Sequence, residues 1–149
     1  MDTKRASLLS VLAAVAFSSL PACARDCAPA VSEGWVRMPP VSMPMLAGFG
    51  RIENTCDTSL VIVGASSPSF DEVSLHETRI VDGISRMRAV PELRIASGDA
   101  ATLAPGGLHL MLMRPRAPLK AGGVVVIDFA LADGGVLRGE FKVRGAAGG

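Results

Sequence analysis

From about residue 31 onward, apolar and polar residues alternate over short stretches separated by turn formers. The segment 107–113 (GLHLMLM) shows this most plainly. Successive strand side chains point to opposite faces, so Leu108, Leu110 and Leu112 share one face and His109, Met111 and Met113 the other. The same alternation, or a short apolar run, predicts strands over 31–37, 47–54, 60–65, 73–81, 84–90, 124–131 and 136–143. Asp82-Gly83 and Asp133-Gly134-Gly135 each separate two such segments and read as hairpin turns. No 3.6-residue apolar period occurs in this region, so helices are not expected. The pattern predicts an all-β domain, a single antiparallel β-sandwich of about seven or eight strands. Its ordered core spans about 31–143, with Trp35 inside it.

Greek-key sandwiches of the immunoglobulin-like or cupredoxin-like kind have this strand count and spacing. The N-terminus lies outside that pattern. A basic start (MDTKR) leads into an uncharged apolar run over 6–20 and then the small residues Ala22-Cys23-Ala24. This is the layout of a secretory signal peptide over residues 1–24, leaving 25–149 as the mature domain. The run is shorter than the roughly 20 residues that span a bilayer. Leu20-Pro21-Ala22-Cys23 also allows a lipoprotein reading, in which Cys23 is acylated. Either route exports the chain.

Export changes how the cysteines read. Cys27 and Cys56 remain as an even pair in an oxidising compartment, so a disulfide is expected, pinning the N-terminus to the 53–57 turn. The alternative is a thiolate metal ligand, but neither cysteine has a histidine close by and there is no CxxC. The formal charge of +1 provides no basic excess for a phosphate backbone, which argues against nucleic acid as a partner. Aromatic residues make up 4% of the chain, whereas methionines number seven against two histidines. That imbalance asks for an explanation.

Each histidine has a methionine within strand reach. His109 and Met111 are i and i+2, about 7 Å apart along one face. A two-residue Asp82-Gly83 turn pairs Val81 with Ile84, sets Thr78 opposite Met87, and makes His76 and Met87 diagonal neighbours. A three-residue loop would shift the register by one and separate them onto opposite faces; the Asp-Gly signal favours the first. Two imidazoles and two thioethers form a soft, neutral donor set suited to Cu(I) and poorly suited to Zn²⁺, Mg²⁺ or Ca²⁺. The competing reading is structural: methionine fills cores, and a lone histidine is often only hydrogen-bonded.

The spacing His76-x10-Met87-x21-His109-x-Met111 resembles the motif of the PCuAC family, periplasmic copper chaperones for the CuA site of cytochrome c oxidase. GWVR at 34–37, AGFGRIEN at 47–54, VSLHET at 73–78 and LAPGGLHLMLM at 103–113 are similar to its characteristic segments. The likeness runs from about 31 to 143. It implies a monomeric cupredoxin-like sandwich that binds one Cu(I) through His76, Met87, His109 and Met111. The ion would pass to the CuA subunit or to a Sco-type partner. Some relatives carry a His/Met-rich C-terminal tail with a further copper site, but this sequence ends RGAAGG, so that site is not expected. Met113 shares the face of His109 and Met111 and is read as supporting or packing. Met38, Met43 and Met45 lie in a Pro-rich stretch (MPPVSMPM). They either offer spare thioethers near the site or simply pack at an edge.

Other classes are weaker. An electron-transfer cupredoxin needs a cysteine thiolate between histidines, and none is so placed. A metal-free exported interaction domain is compatible with the strand pattern, because fold alone does not decide function. An enzyme is not expected, since no nucleophile–base pair or acidic dyad occurs at a recognisable spacing.

Overall fold

Asp82 and Gly83 both take positive φ, 53° and 75°, the conformation that a two-residue hairpin turn demands and that Asp-Gly supplies at low cost. The turn joins β4 (Phe70–Val81) to β5 (Ile84–Ala89). Val81 pairs with Ile84, Thr78 with Met87 and His76 with Ala89, which is the register the two-residue turn predicts. The structure, a computed structural model, describes residues 27–145. The signal segment 1–24 and Cys23 lie outside the described residues.

The remaining strands are β1 (Ala30–Arg37), β2 (Met45–Glu53), β3 (Leu60–Ser66), β6 (Leu93–Ile95), β7 (Ala100–Leu103), β8 (Leu108–Pro115), β9 (Val124–Leu131) and β10 (Val136–Arg144). Ten strands replace the expected seven or eight. The two additions, β6 and β7, are three and four residues long. Segments that short cannot display an alternation, and Pro91 and Ser97-Gly98-Asp99 interrupt the region with turn formers. No helix occurs among the described residues.

The hydrogen-bonded path runs β5-β4-β8-β2-β1-β10-β9-β3-β6, with β7 attached to β2. A further β3–β4 pairing, Ala65 opposite Val73, closes the path into a barrel-like ring. β1 and β10 run parallel and every other pair is antiparallel. β1 has a register shift between Ser32 and Trp35. Gly34 lies in it, where a Cβ would collide with the Glu140 carbonyl oxygen and the Phe141 ring.

Inside the ring, Val36, Ile52, Ile62, Leu110, Leu112 and Phe141 are among the residues fully removed from solvent. Trp35 is not with them. The β1 register turns it outward, partly buried, against Phe49 with ring centroids 4.6 Å apart. It covers the outside of the sheet rather than filling the core. At the end of β2, Cys27 and Cys56 form a disulfide with Cα atoms 4.9 Å apart. Beside it Asn54, 1% exposed, donates to the carbonyls of Thr58, Ile95 and Ala96 and accepts from the Cys56 amide. A buried amide so fully paired fixes the loops on either side without an unsatisfied group.

Candidate metal centre

β8 is the central element of the site. Its inner face carries the buried Leu110 and Leu112, so alternation forces His109, Met111 and Met113 outward. β4 lies on one side of it, with His76 directly opposite His109 and Ser74 opposite Met111. The two imidazole centroids are 6.2 Å apart. β5 adds Met87 one strand further out, diagonal to His76. On the other side of β8, β2 sets Ala47 opposite Met111 and Met45 opposite Met113. β1 then sets Arg37 opposite Ala47.

Between Met111 and Arg37 this row has a small residue. Ala47 leaves space between the Met111 and Arg37 side chains, and a cavity of about 220 Å³ opens there. Its walls are Arg37, Pro39, Met45, Leu46, Ala47, Met87, His109 and Met111. Three of the four residues singled out in the sequence therefore line one cavity. His76 stands beside it, on the next strand and in register with His109. His109 is 8% exposed, Met111 is half-buried and Met87 is 53% exposed. The group lies at a partly open edge, with one donor well covered and one accessible.

Hydrogen bonding orients both rings. His109 Nδ1 lies 2.8 Å from the Gly107 carbonyl oxygen. A carbonyl can only accept, so Nδ1 carries the proton and Nε2 keeps its lone pair for a metal. His76 Nε2 lies 3.1 Å from Ser74 Oγ. Burial, and then the neighbouring His109, push the His76 pKa below its ordinary value, against a smaller opposing pull from Glu72. Both effects favour the neutral imidazole that a metal needs.

None of the described residues that line the cavity carries a carboxylate. Among the described residues no three His, Cys, Asp or Glu side chains cluster as a metal site. The donors on offer are thioethers and imidazoles, which select a soft monovalent ion over hard divalent ones. One charged residue, Arg37, is in the cavity wall; its guanidinium carbon sits 5.0 Å from the Phe49 centroid and 5.6 Å from that of Trp35. Arg144 lies over Trp35 at 5.0 Å. Sequence reasoning missed Arg37 because only the β1–β2 register brings it to the cavity.

The other methionines divide. Met45, at the start of β2, is part of the cavity wall. Met113 is half-buried opposite it. Met38 and Met43 face a neighbouring apolar depression bounded by Pro39, Pro40, Pro115 and Pro118.

The LpqE-like family model matches residues 29–143. A protein of Leifsonia xyli subsp. xyli, Lxx21020, whose name carries the word lipoprotein, is 38% identical over 105 residues, covering 70% of this chain. The chain spans 62% of that relative's length. Among solved structures, the CuI-DR1885 solution structure from Deinococcus radiodurans is 30% identical with a TM-score of 0.59, covering 89% of this chain and 84% of that one. The copper-bound PCuAC domain from PmoF2 is 17% identical with a TM-score of 0.62, covering 77% and 91%; at that identity the likeness is one of fold. With 29–143 matched by one family model, the chain belongs to the LpqE-like family, and it shares its fold with PCuAC domains.

Proposed function

We propose that this protein is a copper chaperone that binds one Cu(I) through His76, Met87, His109 and Met111. The observation that carries the reading is the cavity in which His109, Met111 and Met87 converge beside His76, with no carboxylate or thiolate among the described residues of its walls. The copper of CuI-DR1885 and of the copper-bound PmoF2 domain is in keeping with it. Neutral donors leave the ion its single positive charge, which an acceptor's thiolates can then neutralise. Thiolate is the stronger ligand for Cu(I), so transfer to a dithiolate acceptor runs downhill. The partly open edge lets donor and acceptor share the ion during exchange. The work is that of a carrier and not of an enzyme.

The same proposal places the chain in the periplasm after export by the 1–24 segment, with lipid anchoring through Cys23 as the variant form. The lipoprotein name of the Leifsonia relative supports export. The acceptor is the CuA subunit of cytochrome c oxidase or a Sco-type assembly partner, and the protein acts as a monomer. The closed sheet is read as a flattened, cupredoxin-like Greek-key sandwich.

Anaerobic titration with Cu(I) against a chromophoric chelator tests the reading. One ion per chain is expected, and Met111→Leu and His109→Ala each weaken binding by about tenfold or more. Substoichiometric uptake, or variants that bind like the wild type, would favour a metal-free interaction domain instead.

A further inference from the structure

The cavity holds more soft donors than the sequence spacing accounts for. Met45 lines it together with Met87, Met111 and His109. Its position follows from the β2–β8 register: directly opposite Met113, and so diagonal to Met111. Diagonal neighbours on one face lie about 7–8 Å apart, within reach of long side chains. Met45 thus stands to Met111 as Met87 stands to His76, each a methionine one strand away and diagonally displaced.

The two flanking methionines differ in how they are anchored. Met87 belongs to β5, an edge strand bonded among the described residues only to β4 and exposed at every residue. Met45 begins β2, which is bonded to β8 and to β1. Met45 is 41% exposed and Met87 53%. A thioether on an edge hairpin and another on the fixed sheet face the same space. Methionine's unbranched chain lets either sulfur swing toward an ion there.

We propose that Met45 is an alternative Cu(I) ligand that takes the place of Met87 when the edge strand β5 moves away. This rests on the Cu(I) reading above. In the exchange the Cu–S bond to Met87 breaks and one to Met45 forms; copper stays Cu(I) and no electron moves. The ion is then held by His76, His109, Met111 and Met45 on the fixed sheet. The side vacated by Met87 is open to an incoming thiolate. Met45 keeps copper bound during the hand-over, which an edge strand alone cannot do.

A double-mutant cycle on the full chain tests this, with anaerobic chelator competition and X-ray absorption of the Cu(I) complex. Met45→Leu is expected to leave affinity within about threefold, and Met87→Leu to lower it about tenfold. The double variant is expected to lose at least about a hundredfold, more than the product of the singles. In Met87→Leu the absorption spectrum keeps a second sulfur neighbour, which disappears in the double variant. Circular dichroism confirms folding, since both sites are exposed. A double variant that binds as well as Met87→Leu, or loss of the second sulfur in Met87→Leu alone, overturns the role of Met45. Met111→Leu separates the two claims. If it is silent, or the wild type takes up no Cu(I), the copper reading itself fails and this inference falls with it. If Met111→Leu weakens binding while the cycle is additive, only the inference about Met45 fails.

Discussion

His76 and His109 face each other across β4 and β8, and each ring's protonation follows from its surroundings. The Gly107 carbonyl fixes the His109 tautomer. Burial and the adjacent His109 lower the pKa of His76 from 6.5. A lowered histidine pKa means that the unfolded chain takes up the proton first as pH falls. The stability this group contributes is complete above 6.5 and is lost as pH drops through that value toward the folded pKa. Protons also compete with Cu(I) for the same nitrogen. Cu(I) affinity, followed by chelator competition across a pH series, is therefore expected to decline as pH falls into the acid range, with His76 taking up its proton later than an ordinary histidine. The urea midpoint of the copper-free protein should decline in the same direction. At this scale the sequence was informative about residue type and spacing. It offered Met45 only as one of two readings and could not bring in Arg37, which reaches the cavity through the β1–β2 register.

The β4–β5 hairpin is where local chemistry alone set the geometry. Asp82-Gly83 imposes a two-residue turn, the turn imposes the register, and the register puts Met87 on the face of His76. Glu77 supports it from the other face, pairing with Arg88 across the strands at 2.7 Å. One glycine inserted between Asp82 and Gly83 should rotate Met87 to that other face. Cu(I) affinity is then expected to fall by the same factor as in Met87→Leu. Because β5 is an exposed edge, the thermal midpoint should move little. A variant that keeps full affinity would show that β5 does not deliver Met87 to copper. β6 and β7 mark the opposite case: at three and four residues they have no periodicity to read and owe their existence to neighbours, Leu93–Ile95 against β3 and Ala100–Leu103 against β2.

Across the whole molecule, the disulfide and the cavity lie at opposite ends of β2. Six residues separate Ala47 from Glu53, about 20 Å of extended strand. The Cys27–Cys56 crosslink closes a loop with a sequence separation of 29, and its loss is expected to lower unfolding stability by about 2–4 kcal/mol. Replacing both cysteines with serine should shift the denaturant midpoint while leaving Cu(I) affinity unchanged. A parallel loss of affinity would mean that the two ends are coupled through β2.

The sequence by itself determined whatever depends on residues near one another in the chain. Strand alternation follows from the two-residue repeat of an extended backbone, as in Leu108–Pro115. The β4–β5 register follows from a turn only two residues long. The cysteine pairing follows from there being only two cysteines after residue 24. The tertiary structure decided which strands became neighbours. β2 meets β8 and β1 meets β2 in the arrangement that buries Leu46, Val36, Leu110 and Leu112 together in one core. That choice, made by the core, turned Trp35 outward, added β6 and β7 and closed the sheet through β3 and β4. It also brought Met45, Ala47 and Arg37 to the two histidines. Such contacts join residues tens of positions apart, and no local pattern encodes them; the packing of the apolar face selects them for the chain as a whole.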